Sequence, residues 1–160
     1  MGIHFAAFAQ LKTENKLLVG RLELSEKQYE NAIQKFNYVI ENYPPNYEPY
    51  YYRGIAKLEL GDVVGAEADF SAAIKLRPLK TDLYIIRGSA RERLNNYNGA
   101  FKDFNKALEL NPLNPDIYLN RALVYHYLEQ HQKAIDDCNQ AINYGSRKEL
   151  AYIIRGMSKL

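Results

Sequence analysis

Tryptophan is missing from this 160-residue sequence, and cysteine appears once, as Cys138. A lone cysteine excludes an internal disulfide framework and a zinc site built from several thiolates, and three scattered histidines do not replace one. No stretch approaches the roughly 20 consecutive apolar residues of a membrane-spanning helix, so membrane insertion is not expected. Charge of one sign is not in excess either. Lys+Arg 21 against Asp+Glu 19 leaves a net +2, too even for a protein that grips phosphate backbones by charge alone. Against these absences stand 47% hydrophobic and 25% charged residues, the balance of a globular chain, and fourteen tyrosines. Tyrosine buries a ring while keeping one polar tip in reach of a partner.

Neither terminus reads as an address. The segment from Ile3 to Leu11 has no basic leader and no long apolar core, so it does not read as a signal peptide, and Ala6 stands where an acylated Gly2 start requires Ser or Thr. Ser158-Lys159-Leu160 spells a peroxisomal signal, but the aligned second repeat reads Arg53-Gly54-Ile55-Ala56-Lys57-Leu58 against Arg155-Gly156-Met157-Ser158-Lys159-Leu160. Repeat descent explains the tripeptide, and the expectation is a cytoplasmic protein.

Self-similarity is the strongest signal in the chain. Gly20, Gly54, Gly88 and Gly156 share a 34-residue register, with Ala122 in the remaining slot. Ala32, Ala66, Ala100 and Ala134 keep the same spacing, as do Phe36, Phe70, Phe104 and Cys138. Pro44, Pro78 and Pro112 close three units, and Gly145-Ser146 closes the fourth. Units therefore run 13–46, 47–80, 81–114 and 115–148, with 149–160 starting a fifth; residues 1–12 are expected to form a helical lead-in. Within a unit the apolar residues recur at helical spacing on two segments, as in Tyr84, Gly88 and Arg91, then Tyr97, Ala100, Phe101, Phe104, Ala107 and Leu108. Glycine inside a helix costs about 1 kcal/mol relative to alanine, so its recurrence implies a close helix approach, with the small alanine of the second helix expected as the facing half.

This pattern resembles the tetratricopeptide repeat over residues 13–160, including the aromatic fourth position (Tyr50, Tyr84, Tyr118, Tyr152) and the small twenty-seventh (Ala73, Ala107, Ala141). The resemblance implies an all-α, right-handed solenoid of helix-turn-helix repeats that binds proteins and has no catalytic activity. Departures from the family pattern carry information of their own. Position 7 holds Arg53, Arg87 and Arg121, and position 23 holds Asp69, Asp103 and Asp137; the first unit has Val19 and Lys35 instead. Arginine and aspartate appear together and vanish together, which points to ion pairs between the two helices of each repeat. Arg155 continues the row.

Chemistry is sought in vain. No phosphate-binding loop, metal-spaced pair or nucleophile motif occurs, His126 and His131 flank a helix break, and Cys138 takes a core position. No cofactor or enzymatic activity is expected. In the resembled family, positions 2, 5, 9, 12 and 13 of each first helix line a concave groove. Here these are Glu14, Leu17, Arg21, Leu24 and Ser25, then Glu48, Tyr51, Ile55, Leu58 and Glu59. They continue with Asp82, Ile85, Ser89, Glu92 and Arg93, then Asp116, Leu119, Leu123, His126 and Tyr127. The position-2 acids also suit helix N-termini, where the dipole favours negative charge by about 0.3–1 kcal/mol. An acidic, apolar groove of this kind takes an amphipathic or basic segment. The acidic-tail clamp of co-chaperones needs Lys, Asn and Arg where this chain has Leu17, Arg21, Tyr52, Asp82 and Ile86, or Tyr51, Ile55, Ile86, Asp116 and Asn120; that ligand is argued against. Two alternatives stand beside peptide capture: self-association through the groove or the C-terminal helix, and RNA binding by a related helical repeat. The apolar end at Tyr152–Met157 suggests further repeats in the natural gene, a terminal capping helix, or a chain-to-chain contact.

Overall fold

The computed structural model describes residues 2–145 and 148–158, with the side chains of 13–145 and 149–158. Among the described residues every regular element is an α-helix, and the chain divides into two compact units, Met1–Pro78 and Leu79–Leu160. The first unit contains α1 (Gly2–Ser25), α2 (Tyr29–Asn42), α3 (Tyr47–Glu59) and α4 (Val63–Leu76). Each packs on its neighbour in sequence, and α1 also touches α3. The second unit contains α5 (Thr81–Arg93), α6 (Tyr97–Leu110), α7 (Pro115–Tyr127), α8 (His131–Asn143) and α9 (Lys148–Met157). Sequence neighbours pack here too, and first helices meet first helices, α5 with α7 and α7 with α9. Each unit is thus a stretch of a helical-repeat solenoid.

Local chemistry sets the turns. The fifteenth residue of each repeat is left-handed, at Lys27, Gly61, Asn95 and Glu129, with φ of 62°, 84°, 57° and 57°. Only Gly61 takes this conformation without a steric cost. The following residue is the N-cap of the second helix, and there the Asp62 and Asn96 side chains accept from the Gly65 and Gly99 amides at 2.9 and 3.0 Å. Asn46 and Asn114 cap α3 and α7 in the same way.

The recurring glycine faces phenylalanine. A Cβ placed on Gly20, Gly54 or Gly88 would lie 2.7, 2.5 or 2.7 Å from the ring of Phe36, Phe70 or Phe104, each of which is fully buried. The group nearest the notch is thus the phenylalanine ring, and the alanines expected as the facing groups, Ala32, Ala66 and Ala100, are fully buried in the core. The ring reaches across because its length matches the space the missing Cβ leaves. Burying such a ring stabilises by about 1.5–3 kcal/mol, enough to offset the roughly 1 kcal/mol helix cost of glycine. The fourth repeat solves the same contact differently: Ala122 and Cys138 share one buried cluster, a larger residue on the first helix meeting a smaller one on the second.

This swap makes a prediction. Cys138→Phe alone should overpack against Ala122 and cost about 1–3 kcal/mol, and Ala122→Gly alone should cost about 1 kcal/mol. The double variant restores the contact of the other repeats and should be more stable than Cys138→Phe in urea unfolding. Losses that simply add would show that the two residues do not face each other.

Cys138 itself is fully buried. Burial, with Asp137 adding and Arg155 opposing, pushes its thiol up to about 11 from an ordinary 9.0. The folded state therefore holds this proton more tightly than the unfolded chain, and that contribution to stability is complete below pH 9 and lost as pH rises towards 11. A disulfide reagent at neutral pH should label Cys138 slowly in the native protein and fast in urea. Rapid native labelling would contradict the packing described here.

Candidate partner-binding surface

The face that first helices present is held by the position-7 arginines. Arg53 on α3 donates from Nε and Nη2 to Asp69 of α4 at 2.9 and 2.5 Å, and from Nη1 to Asn37 of α2 at 2.6 Å. Arg121 on α7 repeats this with Asp137 of α8, both at 2.7 Å, and Asn105 of α6 at 2.7 Å. Arg87 pairs with Asp103 at 2.9 and 2.6 Å. Each guanidinium lies over the tyrosine three residues earlier, 5.6, 5.8 and 5.7 Å from the rings of Tyr50, Tyr84 and Tyr118. The aspartates are buried, and Lys57 and Arg91 add a second cation to Asp69 and Asp103 at 2.9 and 3.0 Å. Burial of Arg121 opposes its charge, but the Asp137 hydrogen bond and charge win and push its pKa up.

Two parts of this network escape a reading of the arginine and aspartate rows alone. Position 25 holds Asn37, Asn105 and Asn139, in the same 34-residue register. In the first repeat the charges are exchanged: Glu23 takes position 11 and Lys35 position 23, and they face each other at 3.7 Å. The inverted pair is the weaker version, since Glu23 Oε2 is buried without a hydrogen-bond partner.

In the first unit, Tyr51, Ile55 and Leu58 are half-buried on α3, and Glu59 is exposed. The Tyr51 ring sits edge-on to Tyr52 at 5.1 Å, and Tyr52 stacks on Phe36 at 5.9 Å. Arg21 of α1 covers Tyr52 at 5.0 Å, and Glu59 accepts from the Tyr29 hydroxyl at 3.3 Å. Glu48 lies in the first turn of α3, whereas Glu14 is well inside α1, so the helix-dipole reading of the position-2 acids fails for Glu14. Leu17 is buried against Ala32 and Phe36.

In the second unit, Asp82 and Asp116 are exposed in the first turns of α5 and α7. Ile85, Ser89, Glu92, Leu123 and His126 are half-buried, and Tyr127 is 48% exposed with its ring stacked on Tyr97 at 5.1 Å. Burial pushes the Glu92 carboxyl up, with Arg93 opposing. Leu119 corrects the expectation of a solvent-facing stripe: it is 3% exposed, packed with Ala151 and Ile154 of α9. The helix break places the His126 and His131 rings 5.7 Å apart, yet His126 Nδ1 sits 3.2 Å from Ser158 Oγ. Among the described residues no group of three or more His, Cys, Asp or Glu is arranged to hold a metal ion, and no helix is long and apolar enough to cross a membrane. Lys159 and Leu160 of the terminal tripeptide lie outside the described residues.

Comparison with solved structures finds the same fold widely. The chain aligns with MamA at 24% identity and a TM-score of 0.83, covering 88% of this chain and 82% of that one. YrrB, described as a TPR protein with an unusual peptide-binding site, aligns at 20% identity and a TM-score of 0.79, covering 86% and 71%. A tetratricopeptide repeat protein from Parabacteroides merdae aligns at 17% identity and 0.85, covering 92% and 59%. No curated protein sequence matches. A TPR-repeat family model matches residues 88–129, and two tetratricopeptide-repeat models match 115–144 and 6–46. With the 34-residue register and the paired helices, these matches establish that the chain belongs to the tetratricopeptide repeat family.

Proposed function

We propose that this chain is a non-catalytic adaptor that binds a basic or amphipathic peptide or helix on the first-helix faces of its repeats. The observation carrying this reading is the half-buried row Tyr51, Ile55 and Leu58 on α3, bracketed by Glu48 and Glu59. Leu123 and the exposed Tyr127 on α7 supply a smaller patch of the same kind, with Asp82, Glu92 and Asp116 as the acids of the second unit. Apolar side chains on a face that water reaches gain by being covered, and fixed carboxylates beside them select cationic flanks and repel an acidic tail. The arginine-held helices are ordered before the ligand arrives, so binding energy is not spent on ordering the receptor. Family membership supports protein or peptide partners, and the peptide-binding site named for YrrB is consistent with that class.

Selection of a displayed peptide library on the full-length chain tests the charge preference: enriched sequences should be amphipathic and basic. Tyr51→Ala and Leu123→Ala should each weaken a selected peptide about tenfold with helicity unchanged, and Leu119→Ala should lower thermal stability instead, because Leu119 is core. Enrichment of acidic peptides, or tight single-stranded RNA binding that falls steeply with salt, would contradict the reading.

A further inference from the structure

Outside the core it shares with α2, the helix α1 leaves a second apolar face in water. Leu17 and Leu24 pack on Ala32 and Phe36 of α2. On the other side Asn15, Leu18, Leu22 and Ser25 form an exposed row, with both leucines 54% exposed. The places equivalent to Asn15 and Leu22 are buried on the later first helices, at Pro49, Leu83 and Ile117 and at Ala56, Ala90 and Val124. A preceding repeat in the same register does not cover this face on α1. Its closing turn would fall at residues 9–12, as the turns at 43–46, 77–80 and 111–114 do, and α1 runs as one helix through them.

The row has the spacing of a coiled-coil seam. Asn15, Leu18, Leu22 and Ser25 step by three and four, and in the sequence the same steps continue back through Leu11 to Phe8. Leucine then stands at the d places, Leu11 and Leu18, and asparagine at one a place, Asn15, between Phe8 and Leu22. A seam of this composition suits a parallel pair of identical helices, because a buried asparagine finds its hydrogen-bond partner in the same residue of the second helix. We propose that α1 is a self-association surface on which a second copy of the chain docks, parallel and in register, through Asn15, Leu18 and Leu22. Reversing the second helix sets Asn15 against a leucine and leaves its amide unmatched. In register, Glu14 stands across from Val19 of the second copy and Arg21 across from Glu26 of the second copy, so no like charges meet. The two bodies extend away from each other, since the seam lies on the side of α1 opposite its core with α2. A seam of about two and a half heptads falls short of the three to four of a lasting coiled coil, so the pair forms and separates with concentration.

Sedimentation equilibrium of the full chain, over a concentration series reaching millimolar, is the test. A monomer–dimer equilibrium is expected, and Leu18→Glu combined with Leu22→Glu should weaken it about a hundredfold or more. Both positions are exposed, so the circular dichroism of this variant should match the parent. Under mild oxidation Leu18→Cys should form a disulfide-linked dimer, whereas Lys16→Cys, exposed but off the seam, should not; Cys138 is fully buried and takes no part. Tyr51→Ala should dimerise as the parent does, which keeps the result separate from peptide capture. A strict monomer throughout the series, a dimer that the leucine substitutions leave unchanged, or equal linking through both cysteines overturns the proposal. So does a dimer that Ile153→Glu on α9 abolishes instead.

Discussion

The arginine at the seventh place of a first helix touches three helices at once. Arg53 joins α3 to the aspartate of α4 and the asparagine of α2, and Arg121 does the same for α7, α8 and α6. Desolvating such a pair costs most of what its Coulomb attraction returns, so the net gain over an apolar contact is small. Removing one partner is another matter, since it leaves a charge buried alone and costs about 3–5 kcal/mol. The arginine therefore acts less as a source of stability than as a register pin. It ties the closure of a repeat to its stacking on the preceding one, and the tyrosine beneath it fixes the plane of the fork.

Glycine and phenylalanine set the distance that the arginine then locks. With no Cβ at Gly54 or Gly88, first and second helices approach until the ring of Phe70 or Phe104 fills the space. The first helices are thereby held with positions 9, 12 and 13 turned outward, and these positions vary freely: Ile55, Ser89 and Leu123; Leu58, Glu92 and His126; Glu59, Arg93 and Tyr127. A constant internal lattice with a variable outer row is what a binding scaffold requires, because the surface changes without disturbing the packing.

Much of this is legible in the sequence, for a physical reason. A 34-residue register places equivalent residues in equivalent surroundings, so Gly20, Gly54 and Gly88, or Arg53, Arg87 and Arg121, report on one contact several times over. The asparagine row Asn37, Asn105 and Asn139 is written in the same register, but a helical asparagine carries no sign that it is bonded rather than solvated. The Glu23 and Lys35 pair is harder to see, because exchanging the charges moves the acid to position 11, away from the aspartate row. Alanine was the natural small counterpart for glycine; only the geometry of the crossing shows that phenylalanine fills the place. Leu119 belongs to the groove by position and to the core by contact, and Ala151 and Ile154 of α9, a full repeat further along the chain, decide the matter.

The double-mutant cycles around Arg121 test the pin most directly. Arg121→Met, Asp137→Asn and Asn105→Ala should be measured singly and in pairs by urea unfolding. The account predicts coupling of about 1–3 kcal/mol between Arg121 and Asp137 and a smaller favourable coupling between Arg121 and Asn105. It also predicts that Arg121→Met with Asp137→Asn is less damaging than Asp137→Asn alone, since the unpaired charge is gone. Strictly additive losses across all three pairs would contradict it and reduce the arginine row to independent contacts.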